Sequence, residues 1–287
     1  MNGNIYRRKR NMSVFDNFIK KNNFIVCIDS DGCAMDTMNI KHIRCFGPCM
    51  VDEWDLDQWR DDILNRWNEI NLFSKTRGIN RFKGLAMMLS EVNDKYCEID
   101  GIKALCTWTE DAPELSNDAM EKMINANEIF AKALNWSIAV NKGIDALPKE
   151  EIKPFGGVKE ALEEIHKHCD IAVVSSANPE AVKAEWDRFG LLPYVDVVCT
   201  QDMGSKAFCI GELAKKGYAL SNILMCGDAV GDLNAANSVG VHYYPIRVRH
   251  EEESWKELLA ETMPRFLKEN FDMEYQKELI DKFMDNF

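Results

Sequence analysis

No apolar segment approaches the roughly 18 residues that cross a bilayer, and the polar, basic N-terminus lacks the apolar centre of a secretory signal. A cytoplasmic protein without a membrane partner is expected. No C-x-x-C pair occurs either: the ten cysteines are scattered, and Cys27, Cys199 and Cys226 sit inside apolar, strand-like runs. Such cysteines read as reduced core residues. His42, Cys45 and Cys49 come nearest to a thiol–imidazole metal cluster, but the set has no second half, which argues against structural zinc. There is no internal repeat and no low-complexity tract.

What is present suits a globular protein. The chain has 287 residues, 46% apolar and 29% charged, enough for a substantial core and for two domains. Its net charge is −12, unevenly spread: residues 1–24 hold six Lys/Arg against one Asp. The acidic remainder argues against nucleic acid as a partner. The basic tail, 1–11, reads as a solvated, unstructured terminus.

One stretch organises the rest. Phe24-Ile25-Val26-Cys27-Ile28 is an apolar run without polar alternation, so it predicts a strand buried on both faces, as in a parallel sheet covered by helices. Asp29 and Asp31 follow it, and ligands bind at the carboxyl ends of such strands. Two residues apart in extended chain, the aspartates point the same way, and Gly32 lets the backbone turn close to a ligand. Taken alone, Asp-x-Asp-Gly also fits a plain turn. Carboxylates gathered beyond a strand repel one another and call for a hard, oxygen-seeking cation, for which Mg²⁺ is suited.

Either side of this strand the pattern differs. Ser13 is placed to cap a helix over Val14–Lys21. Residues 37–153 show helical periodicity and few strand signals, with helices expected around Leu56–Leu72, Asn80–Val92 and Leu115–Leu134. Five of the seven tryptophans lie in this block and are expected to form its core. The segment Lys75–Lys83 concentrates positive charge, and Arg77, Arg81 and Lys83 are candidates for contacting an anionic substrate, with a solvated helix start as the other reading.

From Pro154 an α/β rhythm resumes. Strands are expected at Ile171–Val174, Val195–Cys199, Ile223–Cys226 and Val241–Pro245. Between them come helices at Val158–His168, after Asn178-Pro179, from Lys206, and, after the Gly227–Asp232 segment, one that runs to Gly240; the tail from Glu251 reads as helical. The strand ends present Ser175 with Ser176, Lys206 near a helix start, and Asp228 with Asp232. Together with Asp29 and Asp31 these are the groups phosphoryl transfer needs: a nucleophilic carboxylate, an acid for the leaving oxygen, and a lysine, hydroxyl and cation around a charged group.

In this order Asp29-Ser30-Asp31-Gly32, Ser175, Lys206 and Gly227-Asp228-x-x-x-Asp232 resemble the four motifs of the haloacid dehalogenase (HAD) superfamily. The likeness covers 24–36 and 154–245, with the helical block where that superfamily inserts its C1 cap. It implies an α/β fold, a Rossmann-like doubly wound parallel sheet of residues 12–36 and 154–287, carrying a mainly α-helical cap, 37–153. It also implies Asp29 as nucleophile, Asp31 as general acid and then base, Ser175 and Ser176 with Lys206 around the phosphate, and Lys206 offsetting charge. Mg²⁺ would be held by Asp29, the Asp31 carbonyl and Asp228, with Asp232 in support.

A carboxylate at Asp31 disfavours C–halogen and C–P cleavage, because family members with those activities lack it. A phosphatase acting on a small anionic phosphorylated metabolite is expected, with a sugar phosphomutase resembling β-phosphoglucomutase as the alternative and a phospho-aspartate regulatory module as a more distant one. Cys33 stands where threonine is usual, and Ala207 where proline is common.

Overall fold

The computed structural model describes residues 14–287; the basic tail and Ser13 lie outside the described residues. Five parallel strands form one sheet in the order β3-β2-β1-β4-β5: β1 Phe24–Ile28, β2 Cys169–Val174, β3 Val197–Cys199, β4 Ile223–Gly227 and β5 His242–Pro245. The chain steps outward from β1 through β2 to β3, then crosses back to β4 on the other side of β1. That reversal opens a crevice beyond the carboxyl ends of β1 and β4, where doubly wound sheets bind ligands.

β1 is central, and its lack of alternation has the expected cause. Val26 and Ile28 pack into one apolar layer with Val158, Leu162, Trp186, Trp255 and Phe266, while Ile25 and Cys27 pack into another with Ile210, Leu213, Ala236 and Phe283. The first helix, α1, is Val14–Asn17 and stops short of Lys21. The Lys21 and Asn22 amides instead donate to the Asp170 carboxylate, at 2.9 and 3.1 Å, which draws the chain out of helical geometry.

The helical insertion leaves the core beside the point where it returns. Asp36 N–H donates to the Lys153 carbonyl at 2.8 Å and Phe155 N–H to that of Ala34 at 3.0 Å, so two adjacent strands of chain join the two parts. Its helices are α2 Met38–Lys41, α3 Gly47–Glu53, α4 Arg60–Leu72, α5 Arg81–Lys95, α6 Ile102–Asp111, α7 Asn117–Glu121 and α8 Glu128–Asp145.

Several differ from the periodicity reading. The single helix expected over Leu115–Leu134 is two, because Asn127 accepts from Ile129 N–H at 3.1 Å and caps a new start. The Leu56–Leu72 helix is a 3₁₀ turn, Asp57–Trp59, followed by α4. Helices α2, α3 and α6 were not expected at all. A wide π turn at His42–Phe46 links α2 to α3 just before Pro48, which has no N–H to continue an ordinary ladder. Trp54, Trp67, Trp108 and Trp136 are buried in this layer, and Trp59 stacks at a tilt on Tyr96.

In the second half, α9 Val158–Ile165, α10 Pro179–Arg188, α11 Lys206–Ala214 and α12 Val230–Val239 alternate with the strands, and α13 Glu251–Glu257, α14 Met263–Leu267 and α15 Met273–Met284 form the tail. Asn178 accepts from the Glu180 and Ala181 amides and caps α10 ahead of Pro179, as its sequence predicts. Among the described residues no helix is long and apolar enough to cross a membrane.

Candidate active site

Three carboxylates meet at the crevice between β1 and β4. Asp29 follows β1, Asp228 follows β4, and Asp232 sits in the first turn of α12; one oxygen from each lies within 4.8 Å of the others, and all three side chains are buried. The sequence separates Asp29 from the other two by some two hundred positions. The parallel pairing of β1 with β4, Ile28 beside Cys226, brings them side by side.

Lys206, at the start of α11, crosses the floor of this cluster. Its Nζ lies 2.8 Å from Asp29 Oδ2 and 2.5 Å from Asp232 Oδ1. Ser205 places it by capping α11, its hydroxyl accepting from Phe208 N–H at 3.2 Å. Burial works against the Lys206 ammonium, but the Asp232 and Asp29 carboxylates outweigh it and hold its pKa above the ordinary value. The Asp29 carboxyl is pushed well up, by burial first and then by Asp232 and Asp228, while the charge on Lys206 opposes the shift.

Asp228 has another partner. Arg77, from the turn between α4 and α5, donates from Nε to Asp228 Oδ2 at 2.6 Å and from Nη1 to the Leu72 carbonyl at 2.9 Å. Arg77 is only 3% exposed and Asp228 2%. Three buried carboxylates therefore face two cations, and Asp228 Oδ1 is buried with no hydrogen-bond partner. An orphaned anionic oxygen beside two more carboxylates fits a hard divalent cation.

The Asp31 side chain is not part of that group of three and has partners of its own. Its carboxylate receives Lys41 Nζ at 2.8 and 2.9 Å and the Thr37 hydroxyl at 2.5 Å, and Lys41 also lies 3.7 Å from Glu185. Burial raises the Asp31 pKa, but Lys41 and Thr37 more than offset it and leave the group below its usual value. The metal donor that the family resemblance implies at Asp31 is its main-chain carbonyl, not this carboxylate.

The glycine of the turn is forced. Gly32 has φ +82°, and a Cβ there would lie 2.4 Å from Asp228 Oδ2 and 2.5 Å from Arg77 Nη2. Cys33 is buried with its thiol 3.5 Å from the Cys226 carbonyl, and burial drives its pKa well up. It packs; Thr37 supplies a hydroxyl to Asp31 instead.

Ser175 follows β2, buried, its hydroxyl accepting from Ala177 N–H at 3.1 Å, whereas Ser176 is exposed. Of the basic trio, only Arg77 reaches the carboxylates. Arg81 turns into the insertion, donating to Ser137 Oγ at 3.0 Å and Asn141 Oδ1 at 2.8 Å with its guanidinium over the Phe46 ring, and Lys83 is half-buried on α5. Among the three candidate cations, Arg81 thus bonds within its own layer while Arg77 bonds to the core.

Lys41, Thr37, Glu185 and Trp186 were not foreseen from the sequence. Trp186 donates to the Ser30 hydroxyl at 2.9 Å and fixes the turn that carries Asp29 and Asp31. The one available signal was Lys41, a lone charge closing the short run Met38-Asn39-Ile40 just after the acidic motif.

A family model described as haloacid dehalogenase-like hydrolase matches residues 106–246. A search of curated proteins finds no match. Similar solved structures include a haloacid dehalogenase-like hydrolase from Streptococcus pneumoniae, with 12% identity, 81% of this chain and 90% of that one covered, and a TM-score of 0.45. A candidate β-phosphoglucomutase from Thermotoga maritima has 16% identity, 77% and 84% coverage and a TM-score of 0.45. A candidate phosphoglycolate phosphatase from Lactobacillus delbrueckii subsp. bulgaricus has 13% identity, 78% and 86% coverage and a TM-score of 0.48. The matched segment 106–246 contains Ser175, Lys206, Asp228 and Asp232 and leaves out Asp29 and Asp31, so over that segment the chain is similar to the haloacid dehalogenase-like hydrolases.

Proposed function

We propose that the chain is a Mg²⁺-dependent phosphatase that hydrolyses a small phosphorylated metabolite through an aspartyl phosphate on Asp29. The observation that carries the reading is the Asp29 carboxylate at the end of β1, with Lys206 Nζ 2.8 Å away and Asp228 and Asp232 beside it. Asp29 attacks phosphorus. Lys206 holds the nucleophile oriented and offsets negative charge as the phosphoryl group arrives, and Ser175 offers its hydroxyl to a phosphoryl oxygen.

Asp31 protonates the leaving oxygen and afterwards takes a proton from the water that attacks the aspartyl phosphate. To act first as an acid it must part from Lys41 when substrate enters, since that pair favours its ionised form. Asp29, Asp228 and the Asp31 carbonyl would hold the cation, with Asp232 in support. When bound, the cation supplies charge neutralisation among the carboxylates and for the phosphoryl group.

Residues 37–153 act as a cap over this site, hinged where Asp36 and Lys153 are bonded, and exclude bulk water during the reaction. The ten free cysteines suit a reducing, cytoplasmic compartment. The test is phosphate release across a panel of phosphorylated metabolites, with and without EDTA. At least one compound should be hydrolysed by wild type, by none of the Asp29→Asn protein, and by neither once the cation is removed; EDTA-resistant turnover would remove the metal from the reading. Transfer of the phosphoryl group to a second substrate hydroxyl, with none released, would make the enzyme a phosphomutase on the same residues.

A further inference from the structure

Arg77 belongs to the insertion, yet its guanidinium is buried in the core site 151 positions away, on the carboxylate of Asp228. Three features show that the site is built around it. The Leu72 carbonyl takes Nη1 at 2.9 Å. Gly32 leaves the room, since a Cβ there would come within 2.5 Å of Nη2. Gly78, at φ +69°, lets the turn press against Ala229, where a Cβ would meet the Ala229 methyl at 3.0 Å.

A guanidinium hydrogen-bonded to Asp228 Oδ2 and a divalent cation on the same carboxylate are like charges in a site sheltered from water, and each weakens the hold of the other. We propose that Arg77 and the divalent cation exchange on Asp228: without the cation, Arg77 latches the insertion to the core, and cation binding releases it. The inference rests on the metal reading above and adds to it an internal competitor. It also orders loading, because the freed guanidinium becomes an unpaired positive charge at the site mouth for an anionic substrate only after the cation is seated.

Calorimetric titration of Mg²⁺ into the full-length metal-free protein tests this, comparing wild type, Arg77→Gln and Asp228→Asn. Removal of the competitor should tighten Mg²⁺ binding by between about 5-fold and 150-fold, the range of a coupling of this kind, while Asp228→Asn should abolish it. Unchanged or weaker binding by Arg77→Gln, with wild type still binding, overturns the exchange and leaves the metal site intact. Binding by neither protein removes the metal reading and the exchange with it.

Should Arg77→Gln fail to fold, hydrogen exchange on wild type decides the matter. Mg²⁺ should speed amide exchange over residues 73–80 as the turn is released; slowed or unaltered exchange, with Mg²⁺ shown to bind, overturns the proposal.

Discussion

Replacing Lys41 by Met strips the Asp31 carboxylate of its cation and leaves a methylene chain of similar length. Lys41 and Asp31 side chains are 10% and 22% exposed, and Glu185, 3.7 Å from Lys41 Nζ, is 11% exposed. Breaking a fully buried pair costs about 3–5 kcal/mol; the residual exposure screens this one, so about 2–3 kcal/mol is expected near pH 7. The pH dependence identifies the cause. In wild type the lowered Asp31 pKa contributes stability above its unfolded value, and that contribution is lost as pH falls through the folded value. In the variant, burial is opposed only by the Thr37 hydroxyl and the more distant Lys206 charge, and it penalises the carboxylate at neutral pH, a penalty that protonation removes. The wild-type loss lies below the usual carboxylate pKa, so at higher pH only the variant's effect makes the gap between the proteins shrink as pH falls, by no more than about 1.4 kcal/mol per pH unit for one group. Urea denaturation in metal-free buffer between about pH 7.5 and pH 4.5 measures it, and adding Asp31→Asn to Lys41→Met should recover part of the loss. A gap below about 1 kcal/mol at neutral pH, or one that does not change with pH, would refute the reasoning.

Gly32→Ala should destabilise the fold by more than the roughly 1 kcal/mol that a positive φ costs an L-residue, because the new methyl overlaps Asp228 and Arg77; a melting temperature equal to wild type would show that the turn relaxes freely. Arg81→Ala should lower stability by about 1–3 kcal/mol through its lost bonds to Ser137 and Asn141, and should slow the best substrate and a small artificial phosphoester alike. A loss confined to the larger substrate would return Arg81 to substrate recognition.

The parts legible in the sequence are those fixed by local pattern. The apolar run Phe24–Ile28 without alternation predicts a strand covered on both faces, and β1 is that strand; the acidic, hydroxyl and lysine groups at strand ends follow from the same rhythm, and the parallel sheet brings Asp29, Lys206, Asp228 and Asp232 together. Helix breaks inside the insertion were harder. One depends on whether Asn127 caps, and another on how a backbone ladder copes with Pro48, and neither alters the apolar periodicity enough to be seen. Least legible were pairings across the two parts. Lys41 on Asp31 and Arg77 on Asp228 depend on how the insertion seats on the core, which no local spacing encodes. The basic segment was visible as charge, but not that one guanidinium would be buried on a carboxylate and another kept inside its own layer.

The central claim is that phosphorus is transferred to Asp29, and one measurement addresses it directly. In Asp31→Asn the water that releases the phosphoryl group has no base, so the covalent enzyme should accumulate on a substrate whose leaving group needs no acid. After incubation of this variant with an activated aryl phosphate and Mg²⁺, an acid quench and peptide mass spectrometry should find one added phosphoryl group on the peptide spanning Phe24–Asp36, at Asp29. A phosphoryl group on any other residue, or none while wild type releases phosphate from the same compound, would contradict the account.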